Sequence, residues 1–432
     1  MTLAVDVHQN EYLPEGAGEM HAVLTVTSEG GRALAPAAEK AVVLLVDTSG
    51  SMENPGAKIR AARNAAVRAI DLLPDGTLFA LVAGNHQAHV VYPSSERLAR
   101  ADSSTRAKAI ASTRRLRGEG GTAISTWIDC ARRLLDPHPG AIRLAYLLTD
   151  GKNESERPEK LDEAITRAKG VVQCDARGVG ADWVVSEVRK ISSELLGQLD
   201  IICEPEDMER DFQMFMDRAI GKDIPDVRLR VWNPKGATLR FIRQAAPTIE
   251  DLTDQGASSG PLASDFPTGA WAGQESRDYH LCVELPPGDV GDEKLAARVS
   301  LVVGAEIVSQ GLVRAIWTDD LARSTRINRR VATYTGQAEM ARDIEEGVAA
   351  FEAGDSETAR LRLGRAVQQA AAAGNEPTLR LLRNVVDIDD EQTGTVRLRA
   401  GVEKLPLMQL RTRSNRTVPV HKAPVPPGVR SE

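Results

Sequence analysis

The sequence is poor in the features that mark secreted, membrane-spanning and zinc-ribbon proteins. It has only four cysteines among 432 residues, at positions 130, 174, 203 and 282, and none belongs to a CxxC pair. Neither a disulfide framework nor a zinc ribbon is therefore indicated. No run of about 18 apolar residues occurs, so no membrane span is predicted. The first residues, MTLAVDVHQNEYLPEG, lack the basic and apolar regions of a secretion signal, and we expect a cytoplasmic protein.

An excess of positive charge is also missing. The 54 Lys and Arg residues are outnumbered by 61 Asp and Glu residues, which gives a formal net charge of −7. Nucleic acid and anionic membrane surfaces are therefore not expected as partners of the whole molecule. At 432 residues the chain is too long for one hydrophobic core, so two or three domains are expected.

Common catalytic motifs are absent as well. The sequence shows no GxxxxGK[ST] phosphate loop, no GxSxG nucleophile elbow and no HExxH pair. His86 and His89 lie three residues apart in a predicted β-hairpin, where we expect them at an exposed edge. No enzymatic activity is predicted from these residues.

What the sequence does contain is a long α/β pattern, from about residue 39 to residue 221. Apolar strands such as AVVLLVD and RLAYLLTD alternate there with amphipathic helices. This alternation predicts a doubly wound, mostly parallel sheet with helices on both faces.

The segments on either side of the α/β region have a different texture. Residues 1–38 and 222–320 contain short strands in which apolar and polar residues alternate, separated by Gly and Pro turns. Such strands are typical of antiparallel sheets with one buried face. We expect one β-sandwich built from both segments, with the α/β domain inserted between its strands.

The C-terminal part is predicted to be helical and then flexible. Residues 321–390 have apolar residues at helical spacing, interrupted by turns at Gly354–Asp355 and Gly374–Asn375, which favours a helical hairpin packed on the sandwich. Residues 391–432 are predicted to be a flexible basic tail. Beyond residue 403 this tail has six Lys or Arg residues against one Glu, and many prolines.

Polar residues of one chemical kind follow two of the predicted buried strands. Asp47, Ser49 and Ser51 alternate directly after the first strand, Thr122 follows a double glycine, and Asp150 ends the strand RLAYLLTD. Ligands of open α/β sheets bind at the carboxyl ends of strands, and carboxylate and hydroxyl oxygens suit Mg²⁺. Each Ser or Thr alone would more often cap a helix. The five together favour a metal site, and a relict site without metal remains the alternative.

These five residues, in this order and spacing, resemble the metal-ion-dependent adhesion site of the von Willebrand factor A family. The resemblance covers about residues 39 to 221. It implies that Ser49, Ser51 and Thr122 touch the metal and that Asp47 and Asp150 act mostly through bound water. It also implies Mg²⁺, or else Mn²⁺ or Ca²⁺, with an open position for a Glu or Asp side chain of a partner protein. The layout is similar to that of soluble bacterial members of the family.

Two functions are compatible with this resemblance. The first is a non-enzymatic scaffold that binds a partner protein through the metal. The alternative is a von Willebrand factor A subunit of an enzyme complex, such as an ATPase or a metal-chelatase-like machine. The motif DTSGSM also looks like that of aspartyl-phosphate phosphatases, but their second acid, two residues after the first, is replaced here by Ser49.

The predicted tail contains one candidate modification site. Thr417 follows basic residues and precedes Val418, Pro419 and Val420, so it has the character of a kinase site on a flexible segment. Forkhead-associated domains read phosphothreonine with an aliphatic residue three positions later, which makes such a domain a candidate partner. A basic end that only aids solubility is the simpler interpretation.

Overall fold

The computed structural model describes residues 2–29, 38–54 and 56–420. They form two compact units. The central unit lies within Ala35–Pro225, and the flanking unit combines the residues up to Leu34 with those from Asp226 onwards. The flanking unit begins with three strands: β1 (Thr2–Gln9), β2 (Tyr12–Pro14) and β3 (Glu19–Glu29).

The central unit alternates strands and helices. Its strands are β4 (Lys40–Asp47), β5 (Leu78–Gly84), β6 (Ala88–Tyr92), β7 (Ala99–Arg100), β8 (Ile142–Thr149), β9 (Gln173–Val179), β10 (Leu199–Ile202) and β11 (Lys222–Ile224). Its helices are α1 (Gly50–Glu53), α2 (Ala57–Asp71), α3 (Ser103–Thr113), α4 (Ile124–Leu135), α5 (Pro158–Ala168), α6 (Val185–Glu194) and α7 (Met208–Gly221), with a 3₁₀ turn at Pro205–Asp207.

Most of these strands form one sheet with β4 in its middle. The strand order is β10-β9-β8-β4-β5-β6, and β7 also pairs with β5. The pairs from β10 to β5 are parallel, whereas β6 and β7 run antiparallel to β5. Residues 41–46 of β4 are at most 2% exposed, because helices cover both faces of the sheet. The predicted doubly wound, mostly parallel sheet is confirmed.

The remainder of the flanking unit contains nine strands, then helices with a short hairpin. The strands are β12 (Val227–Trp232), β13 (Thr238–Ala246), β14 (Glu250–Asp251), β15 (Ala257–Gly260), β16 (Ala263–Pro267), β17 (Trp271–Ala272), β18 (Glu275–Glu284), β19 (Glu293–Val303) and β20 (Glu306–Thr318). A 3₁₀ turn covers Thr253–Gln255. The later elements are α8 (Leu321–Ser324), α9 (Arg329–Glu352), α10 (Ser356–Ala372), α11 (Glu376–Leu382), β21 (Val386–Asp390), β22 (Thr395–Leu398) and α12 (Lys404–Arg413).

The N-terminal strands belong to the sheets formed by the later strands. One sheet has the order β1-β3-β18-β13-β14, and the other has the order β15-β16-β12-β19-β20-β2. Strand β3 lies between β1 and β18 and is antiparallel to both, with Glu19 opposite Glu284 and Ser28 opposite Glu275. The chain therefore leaves a β-sandwich after β3 and returns to it at β12, which confirms that the α/β unit is inserted.

The helices after the sandwich begin and end close to the predicted turns. Gly354 and Gly374 adopt positive φ angles of 79° and 62°, which end α9 and α10. The next residues, Asp355 and Asn375, cap the following helices by accepting hydrogen bonds from backbone N–H groups. The helical hairpin is thus present, and its inner face packs with residues of α11, α12, β21 and β22 into one core.

The prediction of a flexible tail from residue 391 is wrong for the residues up to 420. The segment contains β22 and α12. Leu407 and Leu410 are buried in the helical core, and Met408 is buried as well. Basic residues and prolines favour a flexible segment, but a few apolar side chains on one helix are enough to dock it. Pro406 is tolerated because it lies in the first turn of α12, where N–H groups have no partner within the helix. Residues 421–432 lie outside the described part.

Thr417 does not lie on a flexible segment either. Its N–H donates to the Pro247 carbonyl, and the next residue, Val418, exchanges two hydrogen bonds with the Gln337 side chain. The Oγ1 atom of Thr417 is buried and has no hydrogen-bond partner in the structure. Among the described residues, no helix has both the length and the apolar character needed to cross a membrane.

Candidate metal site

The five predicted site residues meet at one edge of the central sheet. Asp47 ends β4, Ser49 and Ser51 lie at the start of α1, Thr122 precedes α4, and Asp150 follows β8. Strand β4 pairs with β5 on one side and β8 on the other, so the chain direction diverges at its carboxyl end. This divergence opens the crevice in which doubly wound folds bind ligands.

The hydroxyl groups do not serve as helix caps. Ser49 is the N-cap residue of α1 and Ala123 that of α4, and neither helix has a side-chain capping hydrogen bond. Ser49 Oγ instead lies 2.9 Å from Ser51 Oγ, and Ser51 Oγ donates to Asp150 Oδ1 over 2.6 Å. These side chains are therefore directed at one another and at the acid.

Asp47 is fully buried and holds the loop in place. Its Oδ1 accepts the N–H of Ser49 at 2.7 Å, and its Oδ2 accepts the hydroxyl of Thr149 at 2.6 Å. Burial raises the pKa of the Asp47 carboxyl to about 6, and the nearby Asp150 carboxylate adds to the rise, although hydrogen bonds from Ser49 and Thr149 oppose it. Asp47 thus ties the backbone of Ser49 to Thr149, the last residue of β8, through its two hydrogen bonds.

Asp150 has a charged partner that no sequence motif marks. Lys58, in the first turn of α2, places its Nζ 2.6 Å from Asp150 Oδ2, and the two side chains are 15% and 0% exposed. A single lysine on an amphipathic helix carries no periodic signal, so its role is visible only in three dimensions. When both acids are ionised, the site has one more negative charge than positive, which favours a cation.

Gly151 shows that the three hydroxyl groups surround one point. A Cβ atom at residue 151 would lie 3.2 Å from Thr122 Oγ1, 3.3 Å from Ser51 Oγ and 3.8 Å from Ser49 Oγ. Glycine keeps this space free of a side chain. Hydroxyl oxygens that converge on a small space between two acidic residues fit a hard cation such as Mg²⁺.

The loops that hold these residues are tied together by hydrogen bonds. The N–H of Gly50 donates to the Gly120 carbonyl, and the N–H of Thr122 donates to Ser155 Oγ at 3.0 Å. Gly120 itself has a φ of +74°, which only glycine adopts readily. His86 and His89 are exposed, as expected, and His89 lies on the edge strand β6.

Comparisons with known proteins agree with this arrangement. Residues 40–201 match the model of the von Willebrand factor type A domain, and residues 368–414 match that of a von Willebrand factor type A C-terminal domain. Among curated proteins, no match to the chain is found.

Two of the similar solved structures resemble this chain over nearly its whole length. The ArnB paralog VWA2 from Sulfolobus acidocaldarius shares the fold, with a TM-score of 0.57 and 14% identity over 96% of this chain and 98% of that chain. A von Willebrand factor type A protein from Catenulispora acidiphila is 46% identical, with a TM-score of 0.92 over 97% of each chain. The present chain therefore belongs to the von Willebrand factor type A family.

Proposed function

We propose that the chain is a non-enzymatic, metal-dependent protein-binding module. Its central unit binds an acidic side chain of a partner protein at the edge formed by Asp47, Ser49, Ser51, Thr122 and Asp150. The observation that carries this proposal is the convergence of three hydroxyl oxygens on the space in front of Gly151, between two buried acids. An all-oxygen site of this kind is suited to a hard divalent cation.

The metal we propose is Mg²⁺, and Mn²⁺ and Ca²⁺ are the alternatives with the same preference for oxygen. Ser49, Ser51 and Thr122 would hold the ion directly. Asp47 is less suited to direct contact because both of its oxygens already accept hydrogen bonds. When bound, Mg²⁺ would supply positive charge and an open coordination position for a Glu or Asp carboxylate of the partner.

The residues around the site support binding and give no support to catalysis. Asp47 is unsuited to act as a phosphoryl acceptor because its carboxylate is buried and doubly hydrogen-bonded. The position where a second acid would assist is occupied by Ser49. The chain has few cysteines and none in a CxxC pair, which supports a reducing compartment, and we propose the cytoplasm. The buried hydroxyl of Thr417 disfavours its phosphorylation and therefore a forkhead-associated partner at this residue.

Calorimetric titration with Mg²⁺ tests the metal part of this proposal. Thr122→Val should remove a ligand and lower the affinity at least about tenfold, which corresponds to about 1.4 kcal/mol. Thr126→Val is the matched control, because the Thr126 hydroxyl bonds to the Ala123 carbonyl one turn back. Absence of Mg²⁺ binding to the unmodified protein, or equal affinity of both variants, contradicts the proposal.

Capture of proteins from the native cells tests whether a partner binds through the metal. Protein immobilised in Mg²⁺ should release its partner when the metal is chelated, and both Thr122→Val and Asp47→Ala should fail to capture it. A partner retained equally by Thr122→Val shows that binding does not use this site. A co-purifying ATPase would favour the alternative function, a subunit of an enzyme complex.

A further inference from the structure

A second cluster of ligand-type side chains lies on the sandwich of the flanking unit. Glu19 and His21 alternate on β3, and His280 and Cys282 alternate on β18. The antiparallel register places Cys282 opposite His21. Because residues two apart on a strand share a face, all four side chains project from the same face of this sheet.

Three of these side chains bring one donor atom each to a common position. Cys282 Sγ lies 3.3 Å from Glu19 Oε1 and 3.8 Å from His21 Nε2. The three donor atoms lie within 4.8 Å of one another. Ligands of a tetrahedral Zn²⁺ site, at about 2.0–2.3 Å from the metal, are about 3.3–3.8 Å apart. The cluster is therefore close to the size that one such ion requires.

The fourth residue, His280, orients the ring of His21. His280 Nε2 lies 3.1 Å from His21 Nδ1, and His280 is only 3% exposed. When His21 Nδ1 donates its proton in this hydrogen bond, its Nε2 keeps a lone pair that faces Cys282 and Glu19. A metal-bound histidine usually has such an acceptor on its other ring nitrogen.

We propose that Glu19, His21 and Cys282 form a binding site for a borderline-soft divalent cation, Zn²⁺ in the first place, with His280 as a positioning residue. The thiolate and carboxylate match the charge of the ion, and the Cys282 thiol releases its proton to water as the Zn–S bond forms. Cys282 and His280 are buried, whereas Glu19 is exposed at the start of β3. The exposed side gives the ion access and leaves a fourth position open.

Two charged residues beside the cluster provide variants that test the role of charge in cation binding. Arg243 lies opposite His280 in the register of β13 and β18, and its guanidinium stacks 3.9 Å from the ring centre of Phe241. Its positive charge should weaken cation binding. Glu284 lies opposite Glu19 but pairs with Arg240, outside the cluster. Glu284→Gln is therefore a matched control for Glu19→Gln.

Titration of the full-length protein with Co²⁺ in excess Mg²⁺ tests this site. A thiolate ligand gives Co²⁺ a charge-transfer absorption that the all-oxygen site of the central unit does not produce. We expect one equivalent of Co²⁺ to develop this band and one equivalent of Zn²⁺ to abolish it. The band should be absent in Cys282→Ser and unchanged in Cys130→Ser, a buried cysteine of the central unit.

The affinities of further variants separate a metal site from a hydrogen-bonded cluster. His280→Gln should weaken Co²⁺ binding by about 10–100-fold. Glu19→Gln should weaken it by at least about tenfold and Glu284→Gln should not, while Arg243→Gln should strengthen it. If Cys282→Ser does not fold, Glu19→Gln decides, because Glu19 is exposed. A missing band in the folded protein, or equal affinities of Glu19→Gln and Glu284→Gln, overturns the proposal.

Discussion

The candidate site of the central unit and the Glu19–His21–Cys282 cluster of the flanking unit are built in opposite ways. The first collects hydroxyls and carboxylates on loops at the ends of two parallel strands. The second collects a thiol, an imidazole and a carboxylate on the face of two antiparallel strands. Oxygen donors favour Mg²⁺, whereas sulfur and nitrogen donors favour Zn²⁺. One chain thus offers two chemically distinct environments for cations.

The two regions also differ in charge when no cation is bound. The central site buries the Asp150 carboxylate against the Lys58 ammonium. In the flanking cluster, burial lowers the pKa of His280 to about 3. Burial and the nearby Glu19 also raise the pKa of the Cys282 thiol to about 12. At neutral pH that imidazole and thiol are uncharged, whereas the central site holds a buried ion pair before any cation binds.

The largest effect is expected from deleting Thr2–Glu29, which removes Glu19 and His21 but no residue of the central site. Strand β3 lies between two partners in its sheet, and Ala22, Val23, Leu24 and Val26 are fully buried. Their loss should unfold the sandwich and leave Mg²⁺ binding by the central unit intact. Hydrogen exchange of β18 amides measures this directly. Protected β18 amides in the deleted protein would show that the N-terminal strands are dispensable.

Next in size is the effect of Lys58→Met, which leaves the buried Asp150 without its charged partner. Removing one member of a buried ion pair costs about 3–5 kcal/mol. We expect the free energy of unfolding of the central unit to fall by about 3 kcal/mol without Mg²⁺ and to recover in saturating Mg²⁺, whose affinity should rise. Denaturant titration with and without Mg²⁺ measures both.

Lys152→Met is the control for Lys58→Met. Lys152 pairs with Glu154 at 3.7 Å, and these side chains are 49% and 75% exposed. An exposed pair contributes about 0–1 kcal/mol, so the free energy of unfolding should hardly change. Equal stability of the two variants without Mg²⁺ would mean that Asp150 does not depend on Lys58.

The central site could be predicted from the sequence and the flanking cluster could not, because their residues are distributed differently along the chain. Asp47, Thr122 and Asp150 lie at ends of strands or before a helix, so the α/β pattern alone brings them to one edge. Glu19 and Cys282 are 263 residues apart, and only the register of β3 against β18 joins them. The sequence does show two alternating pairs of ligand-type residues, Glu19-x-His21 and His280-x-Cys282. These pairs specify a site only when the pairing of β3 with β18 is known.

The same reasoning explains the error at the C-terminus. A flexible tail was predicted from its charge and proline content, which are averages over the segment. The packing of α12 depends instead on the positions of Leu407 and Leu410 relative to a core formed elsewhere in the chain. Composition carries no information on such a docking surface.

A smaller effect is expected from the titration of Asp47. Its folded-state pKa is about 6, above the value near 4 of an unfolded chain, so folding favours the protonated form. The contribution of Asp47 to stability is therefore greatest below about pH 4 and is lost as the pH rises to about 6, by up to about 3 kcal/mol. Above about pH 6 the contribution of Asp47 to the free energy of unfolding no longer changes with pH.

Comparison with Asp47→Asn separates the pH-dependent contribution of Asp47 to stability from the contributions of all other titrating groups. Without Mg²⁺, the variant should gain stability relative to the unmodified protein by about 2 kcal/mol between pH 4 and pH 7. Saturating Mg²⁺ should stabilise the unmodified protein and have little effect on the variant. A stability difference that does not change between these pH values would show that Asp47 is not the titrating group.

The smallest effect concerns Thr417, and it asks whether the last described residues of the flanking unit are as well fixed as its sheets. The buried Oγ1 of Thr417 has no hydrogen-bond partner in the structure, so Thr417→Val should be neutral or stabilise the folded state by about 0.5–1 kcal/mol. Thr417→Glu should destabilise it, because a charge would replace a buried group. Thr395→Val, at an exposed position of β22, is the control and should change little. Thermal unfolding of the three variants ranks their stabilities. If Thr417→Glu is as stable as the unmodified protein, the segment leaves its position freely, and phosphorylation of Thr417 becomes feasible again.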